Sequence, residues 1–177
     1  MSIYTMFIIK GGPMLKRFYI LFISFVLFLT LLVSSANISS DCSIYFPIHS
    51  SYNISSEYGN RYLKNNHFHN GIDIPKTVGT PVYPISTGVV SQTGFSKSYG
   101  NYIIITYDNG YKSLYGHMSG EYPFSKGSSV TSNDIVAYVG PKYLSDGTLN
   151  GFTTGPHLHF TLYKDGKHFN PLSITYK

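Results

Sequence analysis

"NYIIITYDNGYKSLYGHM", residues 101–118, decides the fold class. Two runs rich in isoleucine, tyrosine and threonine flank Asp108-Asn109-Gly110. Such residues suit the pleated, half-buried surface of a strand. Asn-Gly between them is a hairpin signal, because both residues tolerate the positive φ that turns the chain back. Outward from this unit the pattern recurs, with turn signals every 8 to 15 residues or so from about Ile44 onward. Strands are predicted at 71–74, 81–85, 88–95, 101–107, 111–118, 135–140 and 157–163. Beyond residue 36 no segment holds a 3.6-residue period, so the chain is read as all-β, a single domain of antiparallel sheets over residues 44–177.

The N-terminus reads differently. Lys16 and Arg17 precede a run of 16 mostly apolar residues, Phe18 to Val33, followed by small residues at Ser34 and Ala36. This is the charged, apolar and small-residue order of a secretory signal, made compact if translation starts at Met14. The alternative is an uncleaved anchor helix, the run being a little short of the roughly 20 residues a span needs. Residues 1–36 are therefore a signal peptide or membrane anchor, and 37–43 a polar leader.

That segment carries Lys10, Lys16 and Arg17 and no acid, so ten of the 13 basic and all eight acidic side chains remain beyond it. The net charge falls from +5 to +2. The basic balance belongs largely to the leader and gives no warrant for a nucleic-acid partner. One cysteine, Cys42, cannot form an intramolecular disulfide, and Asp41 before it argues against lipid attachment. The domain must be held by its own core.

Chemistry concentrates in the histidines. In "HFHNGIDIP", 67–75, Gly71 and Pro75 disfavour a helix, so His69 enters a strand in which Asp73 alternates with Ile72 and Ile74. A carboxylate between isoleucines needs a partner, since burying it unpaired is costly. In "TGPHLHF", 154–160, His157 and His159 are two apart and share one face of a strand, Cα atoms roughly 6.5–7 Å apart. His69, Asp73 and one histidine of that pair make a two-His, one-Asp set. Three ligands with an open fourth position are the pattern of a catalytic zinc. The other histidine of the pair is left to move protons, and His117, in "YGHMS", can join it. His49 and His168 are expected to be ordinary surface or core residues.

In order, spacing and flanking glycines, these motifs resemble the lysostaphin/LytM-type peptidases, the M23 family of metallopeptidases acting on peptidoglycan. The likeness runs from about Pro47 to Leu172 and includes "SEYGNR" (56–61), "HNGIDIPKTVGTPVYPISTGVV" (69–90), "YGNYIIITYDNGYKSLYGHMS" (99–119) and "TGPHLHF". The resemblance implies an antiparallel β domain with a loop-walled groove. It implies one Zn²⁺ on His69, Asp73 and His159, with His117 and His157 as catalytic residues that do not bind the metal. It implies hydrolysis of peptide stems or cross-bridges of peptidoglycan, hence an extracytoplasmic enzyme that is secreted, periplasmic or anchored. The alternative is a non-catalytic relative that binds wall or activates a partner hydrolase. A monomer is expected, touching membrane only if the N-terminal segment is uncleaved. His67 has no role in the family pattern and is read as a groove residue. Arg61 matches a frequent family arginine without an assigned role. "GPKYLSDGTLNGFTTGPHLHF" is longer than the family's usual turn before H-x-H, so a loop at about 142–152 is expected to border the groove.

If the signal is cleaved, N-terminal sequencing of the exported protein should find a start near Asn37. A chain recovered with the 18–33 segment intact in membranes would select the anchor instead.

Overall fold

The computed structural model describes residues 43–50, 52–61, 68–108 and 110–177, together with Phe22. The signal or anchor, most of the leader, Cys42, His67 and the hairpin residue Asn109 lie outside the described residues. Among the described residues no helix is long and apolar enough to cross a membrane. Internal contacts divide the chain into Met1–Ser40 and Asp41–Lys177, and the fold is that of the second unit.

The fold is all-β and antiparallel. Eleven strands lie among the described residues: β1 (Gly59–Asn60), β2 (Phe68–His69), β3 (Ile72–Pro75), β4 (Pro81–Val82), β5 (Gly88–Ser96), β6 (Gly100–Thr106), β7 (Tyr111–Gly116), β8 (Ser129–Val130), β9 (Ala137–Tyr138), β10 (His157–Lys164) and β11 (Lys167–Phe169). All seven segments predicted from the sequence contain a strand. The pairs β1–β2, β8 and β11 were not foreseen, being two or three residues long and too short to show a period.

The main sheet runs β11-β10-β7-β6-β5-β8, with β3 also on β10. The β6–β7 hairpin closes through Tyr107 and Tyr111, whose backbones bond at 3.0 Å, leaving the three-residue loop 108–110. Gly110 takes φ 79°, the left-handed position such a loop demands. In β6, Ile103 and Ile105 are buried while Ile104 faces the other way, so period 2 is read out directly.

Strand β10 is the centre of the site. On one side it pairs with β7 along His159–Lys164. Its other side is divided, the first half taken by β3 and the second by β11. Leu158, Phe160 and Leu162 enter the core with Ile72, Ile74, Ile103 and Tyr115, all fully buried or nearly so. Phe160 stacks on Tyr115 with ring centres 5.5 Å apart. Apolar burial on one face of β10 and β3 therefore forces His157, His159 and Asp73 onto the other.

Polar groups in the core are paired. The Tyr107 hydroxyl meets Ser113 at 2.7 Å and Tyr115 at 3.1 Å and accepts from the Ile85 amide at 3.2 Å. Burial pushes the Tyr107 phenol up to about 12, so it stays neutral there.

The loop expected at 142–152 closes on itself, Leu144 N–H donating to Thr148 O at 2.8 Å. It is fixed to the body by Asn150, which is fully buried. The Asn150 side chain accepts from Asn101 N–H at 2.8 Å and donates to Met118 O at 2.9 Å and Pro141 O at 3.2 Å. Gly100 makes room for it: at φ 61°, a Cβ there would stand 2.3 Å from the Asn150 carbonyl oxygen.

Gly100→Ala should lower the unfolding free energy by about 3 kcal/mol, combining left-handed strain with overpacking. Gly79→Ala, also at positive φ but with nothing within 4 Å, should cost about 1–2 kcal/mol. Urea unfolding of both variants checks the order, and equal losses would rule out a tight Gly100–Asn150 contact.

Candidate metal centre

Strand pairing brings together residues far apart in sequence. His159 lies opposite Asp73 across β10–β3 and opposite Gly116 across β10–β7. Gly116 matters because a Cβ there would press on Tyr99 O at 3.2 Å and on the His159 Cβ at 3.4 Å. His69, ending β2, completes the group beside them.

His69 Nε2, Asp73 Oδ1 and His159 Nδ1 form a small triangle. Its edges are 3.1 Å (His69–Asp73), 2.9 Å (His159–Asp73) and 3.1 Å (His69–His159). The outer ring nitrogens have their own partners. His69 Nδ1 meets Glu57 O at 2.8 Å, and His159 Nε2 meets Thr161 Oγ1 at 3.0 Å. A carbonyl oxygen only accepts, so neutral His69 carries its proton on Nδ1 and turns a lone pair inward. With the Thr161 hydroxyl accepting, His159 does the same. Two lone pairs and a carboxylate oxygen then converge with no donor among them.

That convergence fits a cation. Tetrahedral zinc, with ligands at about 2.0–2.2 Å, separates its ligand atoms by roughly 3.3 Å, close to the observed triangle. Outer bonds that orient each ring are the usual support for metal-binding imidazoles. His69, Asp73 and His159 are thus a candidate metal site. Both histidines are about 5% exposed, so water does little to screen the cluster.

The remaining predicted residues lie alongside. His157 Nε2 stands 3.5 Å from Asp73 Oδ1, while its Nδ1–H donates to Gly155 O at 2.9 Å. His117 Nδ1–H donates to Asn150 O at 2.7 Å, and its ring centre is 4.6 Å from that of His157. His117 is also a non-glycine residue at φ 61°. This backbone costs on the order of 1–3 kcal/mol and persists where surroundings impose it. Here its amide donates to Tyr99 O at 2.7 Å and its carbonyl accepts from Gly140 N–H at 2.8 Å.

The electrostatics separate these groups. Burial works against the charge on Asp73, but when the rings turn N–H inward instead, as they do with no cation between them, bonds from His157, His159 and His69 outweigh it and hold the carboxyl well below the usual range. Burial, aided by the charge of His157, lowers His117 to about 4. Burial also lowers His159, against the pull of Asp73. For His157 burial is outweighed by Asp73, and its pKa is raised.

Of the other lining residues, Arg61 carried a family signal without a role, while Phe68, Asn70 and Tyr99 carried none. Arg61 binds Asp73 Oδ2 through Nη2. Asn70 donates to the Tyr99 hydroxyl. Phe68, Tyr99 and Phe152 line the groove, so the 142–152 loop does border it through Phe152. His168, expected to be ordinary, is exposed but also lines the groove, its Nδ1 2.9 Å from the Tyr58 hydroxyl. His49 lies apart, stacked on Tyr83 at 3.8 Å. The signal that could have found Asn150 is "NG" at 150–151, a left-handed turn just before the H-x-H.

Comparison with known proteins agrees with this geometry. The family described as Peptidase family M23 matches residues 67–171. The chain is 34% identical over 125 residues to the DD-carboxypeptidase/endopeptidase Mpg of Neisseria meningitidis serogroup B, covering 68% of this chain and 26% of Mpg. It is 35% identical over 131 residues to the peptidoglycan DD-endopeptidase ShyA of Vibrio cholerae, covering 72% and 28%. The chain thus spans about a quarter of the length of these curated relatives. Among solved structures, the catalytic domain of the antimicrobial peptidase lysostaphin from Staphylococcus simulans superposes with a TM-score of 0.58 at 29% identity, covering 69% of this chain and 90% of that one. With the fold, the ordered motifs and the matched segment in agreement, the chain belongs to peptidase family M23.

Proposed function

We propose that this chain is a zinc metalloendopeptidase that cuts peptide bonds in the stems or cross-bridges of peptidoglycan, acting outside the cytoplasmic membrane as a monomer. One observation carries the reading: His69 Nε2, Asp73 Oδ1 and His159 Nδ1 converge within 3.1 Å of one another. The names of the relatives support the substrate, and the location follows from where that polymer lies. The alternative of a non-catalytic wall-binding domain leaves the convergence, and two further oriented imidazoles beside it, without a purpose.

His69, Asp73 and His159 would hold the metal. Zinc at that position supplies Lewis-acid polarisation of the scissile carbonyl and eases the ionisation of water. His117 and His157 serve as the catalytic pair, each with Nδ1–H fixed on a backbone carbonyl and Nε2 left for the reaction. His117, neutral down to about pH 4, offers Nε2 as a proton acceptor. His157, whose pKa Asp73 raises, is the better suited of the two to supply a proton from Nε2 to the developing oxyanion or the leaving amine. Tyr99 and Phe152 close the sides of the groove where the peptide lies.

The two histidines of H-x-H should fail in different ways. His69→Ala and His159→Ala should leave a folded domain with little zinc and no activity. His157→Ala and His117→Ala should keep stoichiometric zinc yet lose about 10²–10⁴ in muropeptide release. Metal analysis beside peptidase rates checks this, and a His157→Ala protein without zinc would reverse the roles within the pair.

Asn150→Ala tests the anchor of His117. It strips partners from Asn101 N–H and from two carbonyls, and should cost about 2–4 kcal/mol of stability. Zinc content should hold while kcat drops at least about tenfold. Unchanged kcat in the folded variant would mean that His117 is oriented by other means.

A further inference from the structure

A second cleft adjoins the metal groove, and the two share Arg61, Asp73 and His157 in their walls. Its other sides are Ser55, Ser56 and Thr154, with Pro75, Gly155 and Pro156. The segment 55–56 is built in: Ser55 N–H donates to Asp73 O at 3.0 Å and Asp73 N–H to Ser56 O at 2.9 Å. A peptide lying over the metal site and passing His157 would therefore run into this cleft.

Arg61 stands at the junction with much of its hydrogen-bonding capacity unspent. Of its five N–H donors, Nη2 is engaged by Asp73 Oδ2. Nε is buried without a partner among the described residues. An unmet buried donor is costly, more so on a charged group. The side chain is nonetheless 30% exposed and lines both clefts. Among the described residues, no acidic side chain lines the cleft apart from Asp73, whose Oδ1 already faces three imidazoles. A cation with spare planar donors, flanked by serine and threonine hydroxyls, is suited to a carboxylate.

We propose that this cleft is a carboxylate subsite, in which Arg61, with Ser55, Ser56 and Thr154 around it, binds a free carboxylate of the substrate peptide beside the bond to be cut. This rests on the peptidase reading and deepens it, because it makes a free carboxyl group near the scissile bond part of what the enzyme selects. Arg61 would then have two tasks, holding Asp73 through Oδ2 and receiving the substrate through its unspent donors.

The test is binding, kept apart from cleavage. Acetyl-D-alanyl-D-alanine and its carboxamide are titrated into the full chain without metal, so that no carboxylate can bind zinc instead, and followed by NMR. The carboxylate form should bind about ten- to a hundredfold tighter, the factor that charge-assisted hydrogen bonds supply, with shifts at Ser55, Ser56 and Thr154. Arg61→Gln should remove the difference. Arg61→Lys, which keeps the charge but loses the planar fork, should leave less than about threefold, and it decides the matter if Arg61→Gln does not fold. Equal binding of the two probes by the unsubstituted chain overturns the subsite, as does a difference that survives Arg61→Gln. Digestion of purified peptidoglycan by the zinc-loaded chain is scored separately. Discrimination without digestion overturns the peptidase reading and upholds the subsite, whereas digestion without discrimination does the reverse.

Discussion

The cross-strand pair of His159 and Asp73 is the constraint on which the rest of the site depends. Antiparallel register places their Cβ atoms on the same face of the sheet, about 5 Å apart. A slip of one residue would turn Leu158 outward and His159 into the core. The slip is prevented by burial, since Leu158, Phe160, Ile72 and Ile74 are all fully enclosed. Each is worth roughly 1.5–3 kcal/mol of transfer free energy, which a slip would forfeit for all four together. The hydrophobic core thus aims the site, and the candidate metal ligands inherit their geometry from the residues on the buried face.

Much of this was legible in the chain. Alternation around Asp73 assigned the carboxylate to the face opposite two isoleucines, and H-x-H put two imidazoles on one side of a strand. The hairpin at 108–110 followed from its turn residues. What remained hidden had a common cause. His117 and His157 are oriented by the backbone carbonyls of Asn150 and Gly155, and a carbonyl has no residue type by which to recognise it. The divided edge of β10, shared by β3 and β11, is a tertiary fact that no local period encodes. His168 reaches the groove only because β11 folds back beside β10 through the tight turn at Asp165–Gly166.

The cluster is electrostatically demanding. Five titratable groups lie in one partly dry place, and Asp73 is the only acid among them. Its Oδ1 serves His69, His157 and His159, while Oδ2 is given to Arg61. Buried charge without compensation is costly, so removing Asp73 harms more than one contact. The same arrangement shifts His117 and His157 in opposite directions. Burial, with the charge of His157, lowers His117 to about 4, whereas Asp73 beside His157 outweighs its burial and raises it. Two identical side chains acquire opposite proton affinities from their surroundings alone.

The supports of the two kinds of residue differ in a way that bears on how such a site can vary. The candidate ligands stand on strands β2, β3 and β10, where pairing and core packing fix them. His117 and His157 take their orienting bonds from one irregular segment, Asn150 to Gly155. That segment also supplies Phe152 to the groove wall. Its outer part, the turn around Gly147, closes on its own hydrogen bonds, Asp146 accepting from the Thr148 amide and hydroxyl. The loop can therefore lengthen at 143–149 without moving Asn150, provided that Asn150 keeps its bonds to Asn101, Met118 and Pro141. Extra length at the tip reshapes the surroundings of the groove, while the buried amide at its base keeps the imidazoles in place. This gives a physical reason why a long turn before H-x-H is compatible with the observed placement of His117 and His157.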